Sequence, residues 1–122
     1  RRGRSTSMSD NMPSTVVVNM RTCSHKHKIT VSMRDDGMMD VKIASDCPNI
    51  QEYARRLTEI SAEDAMDFSR SKVNDPTVRE TVSATCLCPL GVVNAAWMEM
   101  GMLSKSLCQQ VHSNDIVLDL PE

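Results

Sequence analysis

Apolar and polar residues alternate through the first third of the chain and recur at helical spacing through the rest. Residues 15–21 (TVVVNMR) are rich in β-branched side chains and read as a strand. In residues 27–34, Ile29, Val31 and Met33 fall on one face and Lys28, Thr30, Ser32 and Arg34 on the other. Asp35-Asp36-Gly37 follows, a hairpin signal because Gly37 enters positive φ readily. Residues 39–44 then alternate again through Met39, Val41 and Ile43. This pattern predicts a three-stranded antiparallel meander with one apolar face, and such a face needs a cover.

Three to four helices are expected to supply it. Pro48 suits the first helical position, and Ile50, Tyr53, Ala54 and Leu57 form a stripe behind it. Ser61-Ala62-Glu63-Asp64 reads as the capped start of a short helix carrying Ala65, Met66 and Phe68. Asn74-Asp75-Pro76 is expected to open a third helix through about residue 84, with Val78 and Val82 four apart. The longest is predicted over about 91–107, its stripe running through Val92, Val93, Ala96, Met100, Leu103 and Leu107. Residues 116–120 (IVLDL) read as a short last strand. The fold class is α+β, a meander first and helices afterwards, in one domain over residues 15–122.

Composition narrows the function. The 122 residues include ten methionines, five cysteines and three aromatics, and 40% are hydrophobic, enough for a core. The formal charge of −2 hides an asymmetry: residues 1–34 sum to +6 and residues 35–122 to −8. Arg1, Arg2 and Arg4 lie in a Ser/Thr-rich stretch without periodicity, so residues 1–14 are expected to form a flexible basic tail, with Met8 a candidate start behind a non-native 1–7. Tyr53, Phe68 and Trp97 offer too few stacking platforms for nucleic acid. No stretch approaches the roughly 18–20 apolar residues of a membrane span. The expected setting is cytoplasmic and soluble.

The cysteines carry the candidate chemistry. Cys23 falls between the first two strands, Cys47 between the third strand and a helix, and Cys86 and Cys88 just before the long helix. Thiols at helix starts meet free N–H groups and the positive end of the helix dipole, which favours the thiolate that binds metal or attacks electrophiles. Cys23, Cys47, Cys86 and Cys88 are therefore the candidate metal or cofactor ligands. Four thiols from separate segments suit an iron–sulfur cluster or a four-cysteine zinc site, although Cys86-x-Cys88 is tighter than the pairs of zinc knuckles. His25 and His27 flank Cys23 and are alternative fourth ligands to Cys88, weighed against a plain solvated pair beside Lys26 and Lys28. Cys108, behind an apolar stripe, reads as a packed thiol. The scattered glycines form no phosphate loop, no serine sits in a nucleophile elbow, and no acid–base pair stands out, so the case for an enzyme rests on thiol-based catalysis through Cys86 or Cys88 alone.

Two resemblances add to this. Cys23, Ile29-x-Val31, Asp36-Gly37, Asp40-Val41-x-Ile43, Cys47 at a helix start and a late Cys86 resemble the layout of NifU/IscU-type iron–sulfur scaffold proteins. Pro48 replaces that family's glycine, and no acidic residue follows Cys23. Residues 45–50 (SDCPNI), Cys86 and Met100-Gly101-Met102 look similar to a small uncharacterised cysteine-bearing family of methanogenic archaea and anaerobic bacteria. The first resemblance implies cluster binding through Cys23, Cys47 and Cys86. The resulting expectation is a cluster-binding, redox or oxygen-responsive accessory, or a cluster carrier, for a protein partner or larger enzyme complex. The competing one is a metal-free or zinc-stabilised regulatory subunit that uses a methionine surface around Trp97.

Overall fold

The structure is a computed structural model that describes residues 12–121. The expected basic tail, including Met8, lies almost entirely outside the described residues, and Ser14 already opens the first strand. Four strands form one antiparallel sheet in the order β1 (Ser14–Met20), β2 (His25–Met33), β3 (Met39–Ser45) and β4 (Glu59–Ile60). Helix α1 (Pro48–Arg56) precedes β4. Helix α2 (Ala62–Met66), two single 3₁₀ turns, α3 (Cys88–Glu99) and α4 (Lys105–Val111) follow it.

The β1–β3 meander matches the alternation in the sequence. Register pairs Val16 with Ile29 and Ile29 with Ile43, and pairs Val31 with Val41, so these side chains share the inner face. Gly37 takes φ +88° in the β2–β3 turn, the conformation expected of it. α1 begins at Pro48 and buries Ile50 and Tyr53, and α2 starts with a complete Ser61/Asp64 capping box. Arg34 at the hairpin binds Asp36, Asp40 and Glu59, tying the turn to the β4 edge.

Four expectations are corrected. The sheet has a fourth strand: Met39 pairs with Ile60 and Asp40 with Glu59. Two residues are too few to show alternation in a sequence. Residues 74–84 form a chain of turns instead of a helix. There Asp75 Oδ1 accepts the N–H groups of Thr77 and Val78, Thr81 donates to the Asn49 carbonyl, and Arg79 binds Asn74 and the Ser83 carbonyl. These side chains compete with the helical ladder in a segment already weakened by β-branched Thr77, Val78, Thr81 and Val82. The long helix starts earlier and ends earlier than predicted: α3 stops at Glu99 because Gly101 adopts φ +72°, and Ser104 caps a separate α4. Residues 116–120 pair with no strand among the described residues, and their side chains are exposed.

Helix α3 covers the inner faces of β1 and β2, and its direction fixes the candidate site. At its C-terminal end, Glu99 accepts hydrogen bonds from Ser14 N (3.1 Å), Ser14 Oγ (2.9 Å) and Met33 N (2.8 Å). At mid-helix, Gly91 lies directly on Val18 and Ile29, with no room for a Cβ. The N-terminal end therefore lands over the opposite end of the sheet, where β1 turns into β2 and β3 runs into α1. The core between sheet and helices includes Ile29, Val31, Met39, Tyr53, Leu57, Val73, Val92 and Ala96.

Candidate functional site

One end of the sheet gathers three cysteines and a buried histidine. The last inner-face row to cross three strands at this end is Val18, His27 and Ser45, with Met20 and His25 paired beyond it. His27 is 1% exposed, held inward by the same alternation that buries Ile29 and Val31. The solvated reading of His27 is thereby corrected. Its neighbour His25 is the rim residue, with Nδ1 2.8 Å from Asp46 Oδ1.

His27 is oriented at both nitrogens. Nδ1 lies 2.8 Å from Ser45 Oγ, and Nε2 faces Cys86 Sγ at 3.9 Å. Ser45 Oγ also accepts the Cys47 N–H at 2.9 Å. With its proton on Nδ1, His27 donates to Ser45 and presents the Nε2 lone pair to Cys86. This is how a metal-ligating histidine is usually held.

Each cysteine reaches this end from a different junction. Cys23 sits exposed in the four-residue β1–β2 turn, beside Ser24 at φ +61°, and its thiol lies 3.8 Å from the Met20 carbonyl. Cys47 caps the N-terminus of α1, is half-buried, and its carbonyl accepts the Gln51 N–H. Cys86 is half-buried just ahead of α3, where the Leu87 N–H points at Met20 Sδ (3.5 Å) and the Cys88 N–H at Cys86 Sγ (3.5 Å). Cys88, the first residue of α3, is fully buried behind Cys86 in the core. Cys108 is carried by α4.

The electrostatics show that the thiols share a field. Burial pushes the Cys86 thiol up, Cys23 and Cys47 push it further, and only the Cys88 N–H and Arg79 oppose them. Burial, Cys86 and Cys47 together push Cys88 up to about 12. Burial, with His25 adding, holds His27 below its ordinary value. Cys86 and Cys88 are thus protonated at neutral pH when no metal is present, which corrects the expectation that helix starts make them thiolates: desolvation outweighs one N–H contact. A metal cation reverses this balance, because coordination itself deprotonates a thiol.

Among the described residues, no three His, Cys, Asp or Glu side chains stand close enough to enclose a single ion. A shallow depression of about 440 Å³ lies at the same end of the sheet, lined by Asn19, Met20, Arg21, Ser24, His25 and Lys26 and by none of the cysteines.

The methionine surface expected around Trp97 is partly internal. Trp97 Nε1 donates to the Ala65 carbonyl at 2.8 Å, and both Trp97 and Met100 pack against the core, leaving Met102 exposed on that helix end. No helix among the described residues is long and apolar enough to cross a membrane.

No curated protein and no solved structure matches the chain significantly. Residues 14–111, from the first strand to the end of α4, match a family of unknown function, DUF6951. The chain belongs to the DUF6951 family.

Proposed function

We propose that this protein binds an iron–sulfur cluster at the β1–β2 end of its sheet. Cys23, Cys47 and Cys86 are the thiol ligands and His27 the fourth donor. The observation that carries this reading is the Cys86–His27 pair: a buried imidazole anchored through Nδ1, its Nε2 aimed at a thiol 3.9 Å away, in a field shared with Cys23 and Cys47. The donor set fits such a group by chemistry, because thiolates from separate segments with one imidazole are known cluster ligands. The NifU/IscU-like order of Cys23, Cys47 and Cys86 along the chain supports the same reading.

Cys88 takes a supporting role in this proposal. Its backbone N–H points at Cys86 Sγ, and its own thiol lies beneath in the core. When bound, a cluster supplies one-electron exchange or is itself passed on. Cys23 is exposed, and Cys47 and Cys86 are half-buried. An open site of this kind suits an oxygen-responsive element or a carrier that meets a partner protein, more than an enclosed electron relay. Five free thiols suit a reducing compartment such as the cytoplasm.

A serine series tests the ligand set. Full-length wild type, Cys23→Ser, Cys47→Ser, Cys86→Ser, Cys88→Ser and Cys108→Ser are reconstituted anaerobically with iron and sulfide, and bound iron, sulfide and visible absorption are measured. Loss of at least half the bound cluster is expected for Cys23, Cys47 and Cys86, with Cys108→Ser at wild-type level. Equal retention across all five variants overturns the assignment.

A further inference from the structure

The free edge of β1 and the C-terminal segment have complementary shapes and charges. β1 closes one side of the sheet, and among the described residues no strand pairs with its outer edge. Edge strands are normally blunted by lysine, proline or a bulge. β1 has none of these: its sequence is STVVVNM, and Val17 is 55% exposed on the outer face.

The C-terminal segment has the opposite need. After α4 the Ser113 N–H returns to the Val111 carbonyl, and every residue from 112 to 121 is then exposed. Ile116, Val117, Leu118 and Leu120 stand 67–79% exposed. Four large apolar side chains in one extended segment are costly to leave in water. Their alternation suits a strand: Ile116, Leu118 and Leu120 share one face, Val117 and Asp119 the other, and Pro121 ends it. The segment also lies beyond the family match, which stops at residue 111.

Charge selects the pairing. Residues 113–122 hold Asp115, Asp119 and Glu122 and no Lys or Arg. Residues 14–34 hold Arg21, Lys26, Lys28 and Arg34 and no Asp or Glu. Across the β1–β2 ladder, Lys28 sits opposite Val17 and Lys26 opposite Asn19 on the outer face. A strand added to β1 with Val117 and Asp119 outward sets them beside Val17 and Asn19 of β1, with Lys26 and Lys28 of β2 one strand further in. Its apolar face then continues the inner row of Val16 and Val18 beneath α3.

We propose that residues 114–120 of one molecule add as a fifth strand to the β1 edge of a second copy, in reciprocal exchange that closes a two-fold dimer. The test uses the full-length, metal-free, reduced protein, so that neither thiol bridging nor metal contributes. Mass is measured by light scattering and sedimentation over a wide concentration range for wild type, Leu118→Lys and Val17→Pro. Both positions are exposed, and Leu118→Lys leaves every contact of the folded domain untouched. The expected result is a wild-type dimer whose dissociation constant rises at least tenfold in each variant, with the Val117 amide protected from hydrogen exchange only in the dimer. A wild-type monomer throughout overturns the proposal, whether or not its Val117 amide is protected by pairing within its own chain. A dimer that Leu118→Lys leaves unchanged overturns it too.

Discussion

Replacing Gly91 with alanine tests how closely α3 must approach the sheet to bring Cys86 over His27. A Cβ at this position meets Ile29 Cδ1 at 2.6 Å and Val18 Cγ2 at 2.7 Å, about 1 Å inside ordinary carbon–carbon contact. Ile29 is fully buried and Val18 nearly so, and the β-branched Val18 has little χ1 freedom with which to withdraw. Overpacking of this kind costs about 1–3 kcal/mol. Alanine in a helix interior returns about 0.5–1 kcal/mol relative to glycine. The net expectation lies between no change and a loss of about 2.5 kcal/mol, read by urea unfolding of the metal-free protein as a midpoint no higher than wild type at unchanged slope. Ile29→Val removes the nearer clashing atom, so the double variant is expected to lose less than the two single variants added together. Gly91→Ala more stable than wild type refutes the close-approach argument and with it the reason α3 lands where it does.

Other consequences are as direct. Tyr53→Phe removes the hydroxyl that donates to the buried Val73 carbonyl at 2.7 Å, and a loss of about 1–2 kcal/mol is expected in the same unfolding assay. Burial opposes ionisation of Asp64, but the Ser61 N–H and hydroxyl and the Lys72 N–H outweigh it and hold its carboxyl below the ordinary value. Because the unfolded chain then binds the proton first, this contribution is complete above about pH 4 and fades as pH falls through the lowered value. Asp64→Asn is expected to flatten the acid limb of a stability-versus-pH curve; an unchanged limb contradicts this. In the metal-free native protein at neutral pH, a thiol reagent is expected to label exposed Cys23 first and to reach Cys88 only on unfolding. Mass spectrometry of the labelled peptides checks the order, and early labelling of Cys88 contradicts its placement in the core.

Much of the fold was legible because its strongest signals are local. The alternation of residues 27–34, the Asp36-Gly37 turn, Pro48 and the Ser61/Asp64 cap all act within a few residues, and each appears where the sequence places it. The failures are tertiary. β4 exists only because Met39 and Asp40 offer it a partner, and residues 74–84 stay non-helical because Asp75, Arg79 and Thr81 find other partners. Gly101 ends α3 where the apolar stripe runs on. At the candidate site, convergence of Cys23, Cys47 and Cys86 on one end follows from their places at junctions. His27 stood in the sequence only as an alternative fourth ligand beside a solvated reading, although it lies in phase with Ile29 and Val31 and the same alternation puts it inside. Cys88 stands two residues from Cys86, but the turn into α3 sends it to the core, and a linear spacing carries no sign of that.

Metal and sulfide analysis of the full-length protein, purified without exposure to oxygen, tests the central claim most directly. The account predicts brown protein with iron and acid-labile sulfide in near-equal amounts, and visible charge-transfer absorption that bleaches in air. Colourless protein with stoichiometric zinc and no sulfide contradicts it.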